Sequence, residues 1–308
     1  MSYLYYPGCS LKSTGRAYDE SLLAVSRRLG IALPAIEDWN CCGATAYMAI
    51  SELKAFALCA RNFALAEKQM PPGGESVDIV APCAACYLGL NKAAHYLNDY
   101  PKIRKKVAAA LDAASLHYEN RVRVRHPLDL FIHDIGVEKI AAQVQRPLTG
   151  LRVACYYGCQ IIRPYADFDD QQNPVSMDAV MAALGAEVVD WPLKTRCCGG
   201  ALTGTVPDVG QRLSHLLLNE AQRRHCDLIV TACPLCQLNL ECYQEQLNRR
   251  FDTSIHIAVA YFTQAMGTAM GIAARDIGLR RLFVPWPSVL AHAAASSEPA
   301  EGGAHVLG

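Results

Sequence analysis

The sequence predicts an α/β protein built as two tandem domains, each a parallel or mostly parallel sheet covered by helices. Three observations lead there. Motifs of the first half recur in the second at an offset near 150 residues, the mark of an internal duplication. Within each half, short apolar runs alternate with segments of helical period, the pattern of a layered α/β sheet. Every motif cysteine falls just after a predicted strand, where such sheets build their sites.

The duplication can be followed residue by residue. Tyr5-Tyr6-Pro7-Gly8-Cys9 answers to Tyr156-Tyr157-Gly158-Cys159, Leu29-Gly30 to Leu184-Gly185, and Asp38-Trp39 to Asp190-Trp191. Cys41-Cys42-Gly43 answers to Cys197-Cys198-Gly199, and Cys83-Ala84-Ala85-Cys86 to Cys233-Pro234-Leu235-Cys236.

In the first half, Tyr3–Tyr6 reads as a short strand and Ser21–Leu29 as a helix stopped by Gly30. A strand near Ile36–Trp39 leads into the Cys-Cys-Gly turn. Ser51–Met70 sets Leu53, Phe56, Ala57, Ala60, Phe63 and Ala64 on one helical face. Val77–Ala81 is an apolar strand, and a helix starts from about Tyr87. The second half repeats the order with Val153–Tyr156, Met177–Leu184, Glu187–Asp190, Val209–Arg224 and Leu228–Thr231. The expected domains are 1–118 and 149–282, with a connector at 119–148 and a tail at 283–308 that is partly disordered, its end Ser296–Gly308 being rich in Ser, Glu, Pro, Gly and Ala. The basic stretch Pro101–Arg125 reads as helical and solvated, with a docking surface for a partner as the sharper alternative.

A chain of 308 residues, 52% hydrophobic and 19% charged, is an ordinary globular protein with room for two cores. Its formal net charge is zero, so bulk charge argues for neither nucleic acid nor an acidic membrane surface. The start lacks a basic segment followed by an apolar run, and the uncharged stretch Ile257–Ala274 reads as a buried helix rather than a membrane span. The expectation is a soluble, cytoplasmic protein. Its fourteen cysteines then point to metal or redox chemistry rather than structural disulfides.

Each half supplies five motif cysteines: a single one, an adjacent pair and a Cys-x-x-Cys. Three chemistries compete for this pattern. Tetrahedral zinc takes four ligands, and two adjacent thiolates chelate one small ion awkwardly. A thioredoxin-like dithiol uses only the Cys-x-x-Cys and leaves the other motif cysteines idle, twice. An iron–sulfur cluster presents several irons to soft thiolates, so adjacent cysteines reach different metal atoms. The pattern favours iron–sulfur, and five cysteines exceed the four of an ordinary cubane. Both Cys-x-x-Cys motifs open predicted helices, whose free amides suit an anionic group.

Two copies of Cys…Cys-Cys-Gly…Cys-x-x-Cys resemble the cysteine-rich CCG domains of the family formed by the B subunit of heterodisulfide reductase. Ala232-Cys-Pro-Leu-Cys-Gln-Leu-Asn-Leu240, Tyr157-Gly-Cys-Gln and Tyr261-Phe-Thr-Gln264 are similar to that family too, and the resemblance spans about residues 3–282. It implies two tandem Rossmann-like α/β CCG domains related by a pseudo-twofold duplication. It implies a non-cubane [4Fe–4S] cluster on Cys9, Cys41, Cys42, Cys83 and Cys86, and another on Cys159, Cys197, Cys198, Cys233 and Cys236. The forty-residue gap between Cys42 and Cys83 is longer than the family's usual spacing, which leaves the type of the first cluster open. The implied activity is an oxidoreductase that cleaves or forms a disulfide, or handles a thiol-bound sulfur compound. A ferredoxin-like iron–sulfur subunit and a flavin-containing subunit are the implied partners. The alternative is a non-catalytic electron-transfer subunit.

Lys194 or Arg196, with Arg163, is the expected binder of an anionic group on the substrate, because only the second half inserts Pro192–Arg196 before its cysteine pair, with charge balance of an anionic cluster or plain solvent exposure as the equal alternative. Cys155 competes with Cys159 as a ligand, and alignment on Tyr-x-Gly-Cys favours Cys159. Cys59, Cys226 and Cys242 read as buried small hydrophobes. His126, His133, His215, His225 and His256 share no ligand spacing, so none is assigned a catalytic role.

Overall fold

A computed structural model describes residues 3–44 and 46–285. Most of the expected disordered tail, residues 286–308, lies outside them.

Among the described residues, seven short strands form two parallel sheets. The first holds β1 (Tyr3–Tyr5), β2 (Val77–Val80) and β3 (Val122–Arg125) in the order β1-β2-β3. The second holds β4 (Arg152–Tyr156), β5 (Glu187–Val188), β6 (Leu228–Thr231) and β7 (Ala258–Tyr261) in the order β5-β4-β6-β7. All pairs are parallel. A single parallel bridge between Tyr5 and Ala35 stands where β5 pairs with β4, so the two sheets share one plan. Strands β2, β6 and β7 are buried along their whole length, which is why they are mostly apolar, with Asp78 in β2 and Thr231 at the end of β6 as the buried polar exceptions.

Five readings of the sequence need correction here. The expected strand Ile36–Trp39 shrinks to the bridge at Ala35, because Asp38 turns the chain at φ +52°, and Glu187–Asp190 shrinks to two residues. The basic stretch splits into a helix, Pro101–Asp112, and β3 within the expected connector. Of its arginines, Arg104, Arg121 and Arg123 are exposed as expected, and Arg125 is buried. Arg123 forks onto Asp78 across the register at 2.8 and 2.9 Å, and buried Arg125 binds Asp129, Asp134 and Asp78. The run Ile257–Ala274 is β7 followed by a helix, Phe262–Ala269, not one helix. Leu53 lies on the exposed side of its helix, Glu52–Lys68.

The halves are joined reciprocally. Helix Arg16–Arg28 of the first packs on Phe262–Ala269 of the second, while helix Ser176–Ala183 of the second packs on Pro127–Asp129 and Val137–Ala141 of the first. One hydrophobic core, from Leu4 to Met270, runs through both. Ser21 and Thr263 share a hydrogen bond of 2.6 Å across this seam, and Glu20 holds Arg281.

Candidate functional site

The loops after β1 and β2 and the Cys-Cys-Gly turn bring five thiols of the first half together. Cys9 and Cys41 sulfurs lie 3.9 Å apart. The Cys41 thiol donates toward Cys42, which holds Cys42 ionised well below the usual thiol range and raises Cys41. Cys86 donates toward both Cys42 and Cys83, so Cys86 is raised and Cys83 lowered. The Cys83 sulfur also accepts from the amides of Cys86 and Ala85 at the start of helix Ala84–Asp99, where unpaired amides favour a thiolate.

The second half repeats the arrangement on β4 and β6. Cys198 and Cys236 sulfurs are 3.5 Å apart, and the Cys236 thiol, which also donates toward Cys233, lowers Cys198. Burial, with Cys197 and Cys198 nearby, pushes Cys159 up to about 12. The turn amides serve both sets alike. Gly43 and Ala44 donate to Cys41 and Cys42 at 3.4 Å, and Gly199 and Gly200 donate to Cys197 and Cys198 at 3.3 Å. Cys9, Cys41 and Cys197 are exposed, Cys159 is half-buried, and the other six are buried. Each set therefore has a protein-lined floor and an open face.

The residues around the thiols explain this placement. Tyr6 and Tyr156, both buried, donate to the carbonyls just before each cysteine pair, Asn40 at 2.8 Å and Arg196 at 2.6 Å. The hydroxyls thus fix the entry of each Cys-Cys turn, a role the repeated tyrosines hinted at without revealing. Gly8 and Gly158 adopt φ +63° and +70°. A Cβ at either position would sit 3.0 Å from Cys86 Sγ or 3.3 Å from Cys236 Sγ, so only glycine lets the backbone approach the sulfurs.

Both Cys-x-x-Cys loops meet at one histidine. Leu128 N–H donates to His126 Nδ1 at 3.1 Å, so Nε2 carries the proton and donates to Pro82 O at 3.2 Å. The carbonyl of Ala232, just before Cys233, accepts from it as well. His126 is completely buried, and burial lowers it to about 4. It is structural, as its sequence context implies. Tyr18 and Tyr261 stack on each other at 4.5 Å, and both feel the charges of Cys83 and Cys233. The two sets therefore approach a common seam.

Cys155 is buried in β4 and paired to Val230, with Asp178, Lys194 and Cys226 as its charged or polar neighbours, whereas Cys159 stands beside Cys197. Cys242 is exposed, not buried. The expected substrate cations separate. Lys194 is buried, its ammonium bound to Asp178 at 2.9 Å and Pro174 O at 3.0 Å, because a buried charge must be paired. Arg163 donates to Thr195 O. Arg196 alone of the three is exposed, beside Cys197, and among the described residues it forms no ion pair.

Among the described residues, no group of three or more His, Cys, Asp or Glu is arranged to hold a single metal ion. The thiols form open chains of near neighbours, with amides aimed at their sulfurs and glycines clearing the space above them. Ten soft donors so placed fit two multinuclear iron–sulfur groups. A surface cleft of about 640 Å³ along helix Pro207–Arg223 and Phe251 contains no thiol, so concavity is no guide to the chemistry here.

The cysteine-rich domain named CCG matches residues 3–91 and 153–241. The chain is 31% identical, over 90% of its length and 95% of the relative's, to the 8-methylmenaquinol:fumarate reductase membrane anchor subunit of Wolinella succinogenes. It is 29% identical, over 88% and 91%, to a protein of Archaeoglobus profundus named as similar to the B subunit of heterodisulfide reductase. It is 27% identical, over 90% and 91%, to the B subunit of a ferredoxin/F420H2-dependent CoB-CoM heterodisulfide reductase of Methanosarcina acetivorans. A crystal structure of a hypothetical protein from Helicobacter pylori shares the fold, with a TM-score of 0.70 at 14% identity. That match covers 92% of this chain and 52% of the other. Among the described residues, no helix is long and apolar enough to cross a membrane. Two matched copies of the cysteine-rich domain, each gathering its five thiols in the same way, place the chain in the CCG domain family alongside B subunits of heterodisulfide reductases.

Proposed function

We propose that this chain is the catalytic iron–sulfur subunit of a heterodisulfide reductase-like complex. In this reading it cleaves or forms a disulfide, or handles a thiol-bound sulfur compound, at two [4Fe–4S] centres of the non-cubane kind. The supporting observation is the pair of equivalent five-thiol sets approaching one tyrosine-lined seam. The names of relatives at 27–29% identity point the same way.

Cys9, Cys41, Cys42, Cys83 and Cys86 would hold the first centre, and Cys159, Cys197, Cys198, Cys233 and Cys236 the second. Breaking an S–S bond takes two electrons and leaves two thiolates, and iron–sulfur groups held by these cysteines would supply those electrons. The chain's own part is positional. The amides of Gly43, Ala44, Gly199 and Gly200 offset thiolate charge, and exposed Cys9, Cys41 and Cys197 keep one face of each set open to an incoming sulfur compound. Arg196 offers a cation beside that face to an anionic substrate group. Electrons would pass to or from a ferredoxin-like subunit and onward to a flavin subunit, in the cytoplasm.

The test is anaerobic purification followed by EPR in the presence of small disulfides, thiols and persulfides. Ligand-dependent changes in the signal support the catalytic reading, and spectra indifferent to all of them overturn it. The resemblance to a membrane anchor subunit of a fumarate reductase favours a second reading, an electron relay. A relay exchanges electrons with partner subunits while its spectra ignore every sulfur compound.

A further inference from the structure

Tyr18 is completely buried in helix Arg16–Arg28, yet among the described residues its phenolic oxygen has no hydrogen-bond partner. Burying a hydroxyl without a partner is unfavourable, so such a group in a well-packed core points to an acceptor that the polypeptide does not itself supply. The ring is firmly placed. It stacks on Tyr261 at 4.5 Å and 9°, and Phe262 meets it edge-on at 6.0 Å. Tyr261, by contrast, has a partner for its hydroxyl in Gln237 at 3.5 Å.

The surroundings of the orphan oxygen point toward the thiols. After Tyr261, the charges it feels most are the thiols of Cys233 and then Cys83, one from each set. Its stacking partner feels the charges of Cys233 and Cys83 most, then those of Glu241 and Cys236. The helix bearing Tyr18 packs on Phe262–Ala269, so a first-half side chain is delivered to the second-half site. The duplication does not return the favour. Counting back from the equivalent serines Ser21 and Ser176, the counterpart of Tyr18 is Asn173, exposed in a loop.

We infer that Tyr18 donates its hydrogen bond to a sulfur of the centre held by Cys159, Cys197, Cys198, Cys233 and Cys236, so that a residue of one half tunes the centre of the other. The inference rests on the proposed function, in that this set must hold an iron–sulfur group. A hydrogen bond to a cluster sulfur stabilises the reduced, more negative state and raises the potential. Tyr18 thereby makes two centres with near-equal ligand sets unequal.

The experiment is a potentiometric titration of anaerobically purified native protein and Tyr18→Phe, followed by EPR. Tyr18→Phe keeps the stacked ring and removes only the donor. The expected result is native iron content with one of the two midpoints lowered, the reduced-to-oxidised ratio at a fixed potential falling about tenfold, or about 59 mV for one electron. Unchanged midpoints, or equal shifts in both, overturn the inference. If Tyr18→Phe loses iron, native protein loaded in D2O decides. Pulsed EPR should show at one centre an exchangeable deuteron beyond those of the turn amides that both sets share, and deuterium couplings equal at the two centres overturn the idea. A native chain free of iron sinks the proposed function itself, whereas a loaded chain indifferent to Tyr18 sinks this inference alone.

Discussion

Cys59 occupies in the first half the place that Ser214 holds in the second. The Cys59 thiol donates to the carbonyl of Cys42 at 3.2 Å, and the Ser214 hydroxyl donates to the carbonyl of Cys198 at 2.8 Å. The cysteine is therefore a support for the turn rather than a spare ligand. Cys59→Ser should keep the donor and retain native iron. Cys59→Ala should leave the carbonyl unpaired, cost about 1–2 kcal/mol of stability and speed iron loss from one centre. Ser214→Ala should do less, because Asn239 also donates to Cys198 O at 2.7 Å. Urea midpoints and the rate of iron transfer to a chelator check this.

Gly8→Ala and Gly158→Ala should both lower iron content. Each forces an alanine into the left-handed region, at roughly 1–2 kcal/mol, and presses a methyl toward a ligand sulfur. The closer contact, 3.0 Å at Gly8 against 3.3 Å at Gly158, makes Gly8→Ala the more damaging. Iron per chain after anaerobic purification measures the difference.

Lys194 and Arg196 should respond oppositely to neutralisation. Lys194→Gln leaves Asp178 half of a buried pair and should cost about 3–5 kcal/mol of stability. Arg196→Gln should change stability by about 0.5 kcal/mol or less while raising KM for an anionic sulfur substrate, with iron content intact. Equal stability losses in the two variants would contradict the assignment.

Two buried groups set opposing pH slopes. Burial raises Glu241 from 4.5 to about 7, while the amide of Val284 and the side chain of Gln237 hold its carboxyl. The folded state thus binds its proton more tightly, so the stability it gives is full below about pH 4.5 and lost as pH rises through about 7. His126 is lowered from 6.5 to about 4, so its contribution is full above pH 6.5 and lost as pH falls through about 4. Each is worth on the order of 3 kcal/mol, and between pH 4.5 and 6.5 they largely cancel. Glu241→Gln should therefore unmask a loss of stability on acidification, read as urea midpoints across that window. A slope unchanged by the substitution would contradict it.

The duplication and the ten thiols were legible because ligand spacing is written into short motifs at strand ends. Strand β3 was harder to see. Its alternation Val122-Arg123-Val124-Arg125 is a period of two, but Arg123 and Arg125 read as solvent charges until Asp78, Asp129 and Asp134 supply their partners. Strand β7 hid in an apolar run, since burial on both faces erases the alternation that distinguishes strand from helix. Lys194 misled for a related reason. A lysine near a cysteine pair suggests an anion site, and only the fold reveals Asp178 behind it. The hydroxyls of Tyr6 and Tyr156 repeat in the sequence, but their acceptors are backbone carbonyls that no residue type announces.

Iron and acid-labile sulfide counted in anaerobically purified protein and in Cys42→Ala and Cys198→Ala chains test the central reading most directly. Two four-iron centres require about eight irons per native chain, with about half remaining in either single variant and distinct EPR signals surviving in each. A colourless native chain, or zinc in place of iron, would contradict the assignment of both sets.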